Sequence, residues 1–262
     1  MKRLIKLCVA AMSGHRIVML TAYDALFAGY AATSDVDILL VGDSLGMVIQ
    51  GHTDTLPVTI NDIAYHTASV ARGNTNAVIL ADLPFGTYQA SVEDAMRAAA
   101  TLMQAGAHAV KLEGGIAMAE TFEFLVKRGV PVVGHIGMTP QSVHLLGGFR
   151  VQGRTDTAVA QLETDLSAIT AAGASMVVLE CVPAAVGTLL SSQSSVPVIG
   201  IGAGPDTHGQ VMVLHDILGW TSASPKFARN FEPGATSVQD AISSYVAAVR
   251  EATFPNESAC YV

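Results

Sequence analysis

The sequence predicts an α/β fold, a (β/α)8 barrel of the TIM type, with a single domain over 1–262 and a short N-terminal helix covering one end. Three observations carry that prediction. A chain of 262 residues that is 50% hydrophobic and 14% charged has enough apolar material for one large core and falls in the size range of single-domain barrels. Short runs rich in Val, Ile and Leu recur at 17–22, 37–42, 77–81, 109–112, 131–134, 176–179, 196–201 and 211–214, and they read as strands buried on both faces. Helical patterns lie between several of them, and this repeated alternation points to a closed parallel barrel, with an open doubly wound sheet as its rival.

The elements follow in chain order. Residues 1–12 faintly imitate a secretory signal, but Lys6 interrupts the apolar stretch and the remaining run, 7–12, is shorter than a signal core; the segment is predicted to be the covering helix. Thr59 followed by Asp62, and Ser91 followed by Asp94, each supply an N-cap with an acidic N3 residue. Ala95, Ala99, Leu102 and Met103 give the second of these helices an apolar stripe. Gly106, Gly129 and Gly173 stand where left-handed residues close helices. The connection at 136–155 is long and Gly-rich, as lids and binding loops are. Only 202–210 separates the seventh and eighth runs, which is short for a parallel crossover, so a vestigial helix is expected there.

A net charge of -8, from 22 acidic and 14 basic side chains, gives no attraction for nucleic acid or an anionic membrane. Cys8, Cys181 and Cys260 show no C-x-x-C spacing, which argues against a disulfide framework or structural zinc and suits a cytoplasmic location. The chemistry collects where successive strands end: Asp43 at the second, Asp82 the third, Glu113 the fourth, His135 the fifth and Glu180 the sixth. In a parallel barrel those ends share the catalytic face. Each alone has a plainer reading, since a strand-end Asp often makes a turn and a barrel-end His often packs. Three carboxylates at one apolar mouth repel unless a proton or cation offsets them, and oxygen ligands without a Cys or His cluster favour magnesium over zinc.

Lys111 and Glu113 are two apart and share one side of the pleat, so both face the mouth, where Lys111 either pairs with an anionic substrate or neutralises its acidic neighbours. Gly200-Ile201-Gly202-Ala203-Gly204 reads either as a phosphate loop or as glycines needed for close packing. Cys181 is expected to point away from Glu180 as a buried apolar residue rather than a nucleophile.

Many segments resemble one family. They are Thr21-Ala22-Tyr23-Asp24, Val41-Gly42-Asp43-Ser44-Leu45-Gly46-Met47, Gly51-His52, Thr55-Leu56-Pro57-Val58-Thr59, Ala81-Asp82-Leu83-Pro84-Phe85 and Val110-Lys111-Leu112-Glu113-Gly114-Gly115. Further along come Gly134-His135-Ile136-Gly137-Met138-Thr139-Pro140-Gln141, Val151-Gln152-Gly153-Arg154, Leu179-Glu180-Cys181-Val182-Pro183, the 200–204 segment and Pro225-Lys226-Phe227-Ala228. Nearly end to end, the chain is similar to the ketopantoate hydroxymethyltransferases. The resemblance implies transfer of a one-carbon unit from 5,10-methylenetetrahydrofolate to 3-methyl-2-oxobutanoate (2-oxoisovalerate), giving 2-dehydropantoate (ketopantoate) on the route to pantothenate and coenzyme A.

It also implies Mg2+ held by Asp43, Asp82 and Glu113, substrate contacts from Asp43, Ser44, Asp82 and Lys111, and Glu180 as proton acceptor. His135 is a candidate for supporting substrate binding or catalysis. A homo-oligomer such as a decamer is implied in the same way. The alternatives are a metal-enolate enzyme like phosphoenolpyruvate mutase and isocitrate lyase, whose lyases carry a Lys-Lys-Cys-Gly loop absent here, and a non-catalytic barrel that binds 2-oxo acids. The chain departs from the family pattern before Thr21, at Gly86, and at Thr221-Ser222-Ala223-Ser224, which touch the edges of the fold or the folate side and not the metal.

Overall fold

The computed structural model describes residues 2–74, 76–221 and 224–262. Eight strands, β1 (Ile17–Thr21), β2 (Ile38–Val41), β3 (Val78–Asp82), β4 (Ala109–Glu113), β5 (Val132–Gly137), β6 (Met176–Glu180), β7 (Val198–Ile201) and β8 (Gly209–Met212), close into a barrel in sequence order. Every neighbouring pair is parallel, and β8 returns to β1 with Gly209 to Met212 opposite Ile17 to Leu20. All strand residues are buried except Gly137 and Glu180, which explains why the strands show no polar alternation.

The helices are α1 (Lys2–Met12), α2 (Ala25–Thr33), α3 (Leu45–Val48), α4 (Ile60–Gly73), α5 (Val92–Gln104), α6 (Ala119–Lys127), α7 (Asp156–Ala171), α8 (Ala184–Gln193), α9 (Leu214–Ile217) and α10 (Val238–Arg250). Their ends obey the signals in the sequence. Thr59 and Asp62 make a reciprocal capping box, and Ser91 accepts from the Asp94 amide at 3.1 Å. Gly106, Gly129 and Gly173 take φ values of 117°, 86° and 97°. The residue after each glycine donates back into the helix, Ala107 to Leu102, Val130 to Leu125 and Ala174 to Ile169, which completes three Schellman ends. Ala95, Ala99 and Leu102 turn the apolar stripe of α5 fully into the core.

The N-terminal segment is the covering helix, α1. Leu4 and Ala11 are buried beneath it, and the Cys8 thiol reaches the Ser175 carbonyl just before β6, which places α1 across the N-terminal end of the barrel. The catalytic end is left open. No helix among the described residues is long and apolar enough to cross a membrane.

Two expectations need correction. No helix, vestigial or otherwise, lies between β7 and β8: the link turns through Gly202 and Gly204 at φ 63° and 82° and packs directly on α8. A Cβ on Gly187 of α8 would overlap the Ala203 carbonyl oxygen, so there is no room for another helix. The eighth strand therefore begins earlier than its apolar run. Gly209 and Gln210 open it, with the buried Gln210 amide donating to the Gly204 carbonyl at 3.1 Å and to Thr207 Oγ1 at 2.9 Å. Gly187→Ala is expected to cost about 1–3 kcal/mol through overpacking, read as a lower urea midpoint at constant slope.

The loop expected at 136–155 is also shorter than its glycines suggest. Ile136 and Gly137 belong to β5, the Met138 amide donates to the Glu180 carbonyl at 2.9 Å, and a 3-10 turn at Pro140–Ser142 buries Gln141. The exposed part surrounds Leu145, which is 88% exposed, and Gly147 and Gly148, at φ 71° and 115°.

Candidate active site

Parallel pairing brings the strand ends together as the sequence predicts. Asp82 stands opposite Lys111 in the ladder, and Glu113 opposite His135. Asp43, Ser44, Asp82, Lys111, Glu113, His135 and Glu180 all line one cavity of about 500 Å³ at the C-terminal mouth of the barrel. Five of them, Asp43, Asp82, Lys111, Glu113 and His135, are at most 5% exposed. Buried charges on this scale persist only when paired, hydrogen-bonded or bound to a ligand.

The pairing is explicit. Lys111 Nζ lies 3.0 Å from Asp82 Oδ1 and 3.3 Å from His135 Nδ1. The other oxygen of Asp82 accepts from the Asp43 amide at 3.0 Å, so β2 and β3 are tied through the site itself. His135 lies between two acids, with Nδ1 3.3 Å from Glu113 Oε1 and Nε2 3.2 Å from Glu180 Oε2, close contacts that are not aligned as hydrogen bonds. Ser44 Oγ lies 2.9 Å from the Tyr23 hydroxyl.

These contacts set the protonation states. Burial, with the nearby charges of Asp82 and Glu113, pushes the Asp43 carboxyl up to about 8 against the opposing pull of Lys111 and Gln141. Burial disfavours the Lys111 ammonium, but Asp82, Asp43 and Glu113 outweigh it and hold the lysine charged. For His135, burial and Lys111 push the ring down, while its contacts with Glu113 and Glu180 prevail and raise it to about 9. The site thus holds too much negative charge on its own, and Asp43 carries the penalty.

The same cluster suits a hard cation. Asp43 and Asp82 line the cavity, and Asp82 Oδ1 is buried without a hydrogen bond, although the Lys111 ammonium lies 3.0 Å away. Among the described residues no three His, Cys, Asp or Glu side chains gather closely enough to hold a metal ion by themselves, so any ion here would rest on the two aspartates with other ligands completing its shell. Glu113 is the least available of the three, with one oxygen accepting from the Gln141 amide at 3.0 Å and the other facing His135.

Sequence reasoning missed the group that organises this cluster. Gln141 donates from Nε2 to Asp43 at 2.8 Å and to the Leu83 carbonyl at 2.9 Å, while its Oε1 accepts from the Tyr88 hydroxyl at 2.7 Å. Tyr88 in turn accepts from the Glu113 amide at 3.1 Å. Gln141 is visible in the sequence only as the residue after Thr139-Pro140, and Pro140 starting a 3-10 turn is the one local signal that its side chain is aimed. Asp216, buried in α9, and Tyr261 also line the cavity and have no strand-end position to betray them.

Cys181 departs from expectation. It lines the cavity beside Glu180, because the chain leaves the strand pleat there with φ 48° and alternation no longer applies. Burial, reinforced by the Glu180 charge, raises its thiol, so it is not poised as a nucleophile. In the glycine segment, Cβ atoms at Gly200, Gly202 and Gly204 would meet Thr207, Phe227 and Ala184, which identifies close packing as the reason for glycine there. Ser222 and Ala223 of the departing segment lie outside the described residues.

The chain is similar to several known proteins. The 3-methyl-2-oxobutanoate hydroxymethyltransferase of Azoarcus sp. (strain BH72) is 55% identical over 250 residues, covering 95% of this chain and 92% of that protein. Among solved structures, the phosphoenolpyruvate phosphomutase of Streptomyces platensis subsp. rosaceus aligns with a TM-score of 0.61 at 15% identity, over 83% of this chain and 82% of that one. A phosphonopyruvate hydrolase in complex with oxalate and Mg++ aligns with a TM-score of 0.62 at 14% identity, over 83% and 82%. At such identities the likeness is one of fold. The model of the family described as ketopantoate hydroxymethyltransferase matches residues 3–257, and the chain belongs to that family.

Proposed function

We propose that this chain transfers a hydroxymethyl group from 5,10-methylenetetrahydrofolate to 3-methyl-2-oxobutanoate, forming 2-dehydropantoate, with Mg2+ as its metal. The observation that supports the reading best is the gathering of Asp43, Asp82, Lys111, Glu113, His135 and Glu180 around one buried cavity. Asp43 and Asp82 would hold the ion, with Glu113 adding charge from the next strand. A divalent cation held there supplies Lewis acidity, drawing the charge that develops on the acid's keto oxygen when C3 loses its proton.

The protein's own groups do the rest. Lys111, kept charged by its acidic neighbours, pairs with the substrate carboxylate, and Ser44 offers a hydroxyl beside it. Glu180 takes the proton from C3 as general base, with His135 Nε2 lying 3.2 Å from its carboxylate. The electron pair released at C3 forms the bond to the donor's methylene carbon, and one water supplies the hydroxyl oxygen as tetrahydrofolate leaves. The proposal extends to a cytoplasmic homo-oligomer, a decamer by resemblance; exposed apolar side chains at Ile5, Val9 and Met12 on α1 support a partner surface.

The test is direct. Purified protein given magnesium, 3-methyl-2-oxobutanoate and methylenetetrahydrofolate is expected to form 2-dehydropantoate and tetrahydrofolate in equal amounts. Absence of product with both substrates and the metal present would remove the reading.

A further inference from the structure

Directly after Glu180 the chain makes a strained turn. Cys181 sits at φ 48°, a left-handed setting that costs a residue with a Cβ about 1–2 kcal/mol and survives only where its surroundings enforce it. The Cys181 amide donates to the Ile201 carbonyl at 2.9 Å, the Val182 amide to Gly202 at 3.2 Å, and the Gln152 amide to the Cys181 carbonyl at 2.9 Å. One further bond comes from a distant part of the chain: the Ala184 amide donates to the Tyr261 carbonyl at 3.0 Å.

Tyr261 belongs to a segment that starts with a 3-10 turn at Glu257–Ala259 and then runs beside Pro183 as an isolated parallel bridge. Its ring packs edge-on to Phe227 at 6.4 Å between centroids, with Lys226 Nζ 5.5 Å from its centre. A Cβ at Gly202 would lie 3.2 Å from Tyr261 Cε2, so the ring also presses on the loop after β7. It faces the cavity beside Cys181.

We propose that residues 257–262 form a strap belonging to the active site, in which Tyr261 is a positioning residue that clamps the left-handed turn at Cys181 and thereby aims Glu180 into the cavity. The inference rests on Glu180 being the base. Glu180 is then held at two points, by the contact of His135 with its carboxylate and, through the Cys181 turn, by the Tyr261 ring, which packs on the Gly202 loop whose carbonyl accepts from the Val182 amide. Losing the ring lets Cys181 relax toward an unstrained φ, and the carboxylate swings with it. A displacement of this kind slows the reaction without weakening substrate binding, because the groups that hold the acid sit on β2, β3 and β4.

The experiment measures kcat and KM for 3-methyl-2-oxobutanoate in Tyr261→Ala, Tyr261→Phe and a protein lacking residues 258–262. Tyr261→Ala and the deletion are expected to lose about 10²-fold in kcat at unchanged KM, the loss typical of a misplaced reacting group, and Tyr261→Phe to stay near wild type. Cys181→Gly placed in the Tyr261→Ala background is expected to recover about tenfold, since glycine adopts the positive φ without penalty. Wild-type kcat in Tyr261→Ala, or a loss that Cys181→Gly fails to recover, overturns the strap. Glu180→Gln is assayed alongside: an inactive Glu180→Gln beside a fully active Tyr261→Ala rejects the strap alone, whereas an active Glu180→Gln rejects the assignment of the base.

Discussion

Stripping divalent ions from the protein is expected to abolish turnover, and magnesium to restore it. The cause is the burial of Asp43, Asp82 and Glu113 around one cavity, where Asp43 is already driven up to about 8 by burial and by its acidic neighbours. Without a cation the substrate's carboxylate would enter a site short of positive charge, where it must share the Lys111 ammonium with Asp82, 3.0 Å away. Asp82→Asn keeps the side chain's shape and an acceptor for the Asp43 amide, so the fold should survive while the metal site loses a charge. Activity should return only at much higher magnesium, and a titration of rate against free magnesium measures the shift. Full activity in excess chelator would contradict the metal assignment.

The second large effect separates two glutamates. Glu180→Gln is expected to lower kcat by about 10²–10⁴-fold, the usual contribution of a positioned general base, while magnesium and 3-methyl-2-oxobutanoate still bind. Glu113→Gln should act differently, because Glu113 accepts from the Gln141 amide and faces His135 rather than reaching for C3. Its loss should weaken magnesium and substrate binding together, and excess metal should recover part of the activity. Calorimetric binding of the acid in the presence of magnesium tells the two apart. Equal behaviour of the two variants would mean that the assigned roles are wrong.

The barrel was legible because parallel strands buried on both faces leave unbroken runs of Val, Ile and Leu, and because Thr59, Ser91, Gly106, Gly129 and Gly173 mark helix ends by local chemistry alone. The acidic strand ends were legible for the same reason, since a carboxylate that terminates an apolar run has one place to go in a closed barrel. What escaped notice depends on tertiary contact. The β7–β8 link lacks a helix because Gly187 of α8 occupies that space, a fact recorded in neither segment by itself. Cys181 escaped because period-two alternation fails once φ turns positive. Gln141 reaches Asp43 from a loop, and Tyr261 reaches the cavity from a segment far along the chain, where no periodicity indicates direction.

Proton exchange at C3 of 3-methyl-2-oxobutanoate tests the central claim most directly, because it isolates what this cavity is built to do before any carbon is transferred. With magnesium in deuterated water, and with tetrahydrofolate present or absent, the wild-type protein is expected to exchange that proton above the rate in buffer, and Glu180→Gln to stay at the buffer rate. Exchange by Glu180→Gln at the wild-type rate would contradict the account and give the role of base to another group.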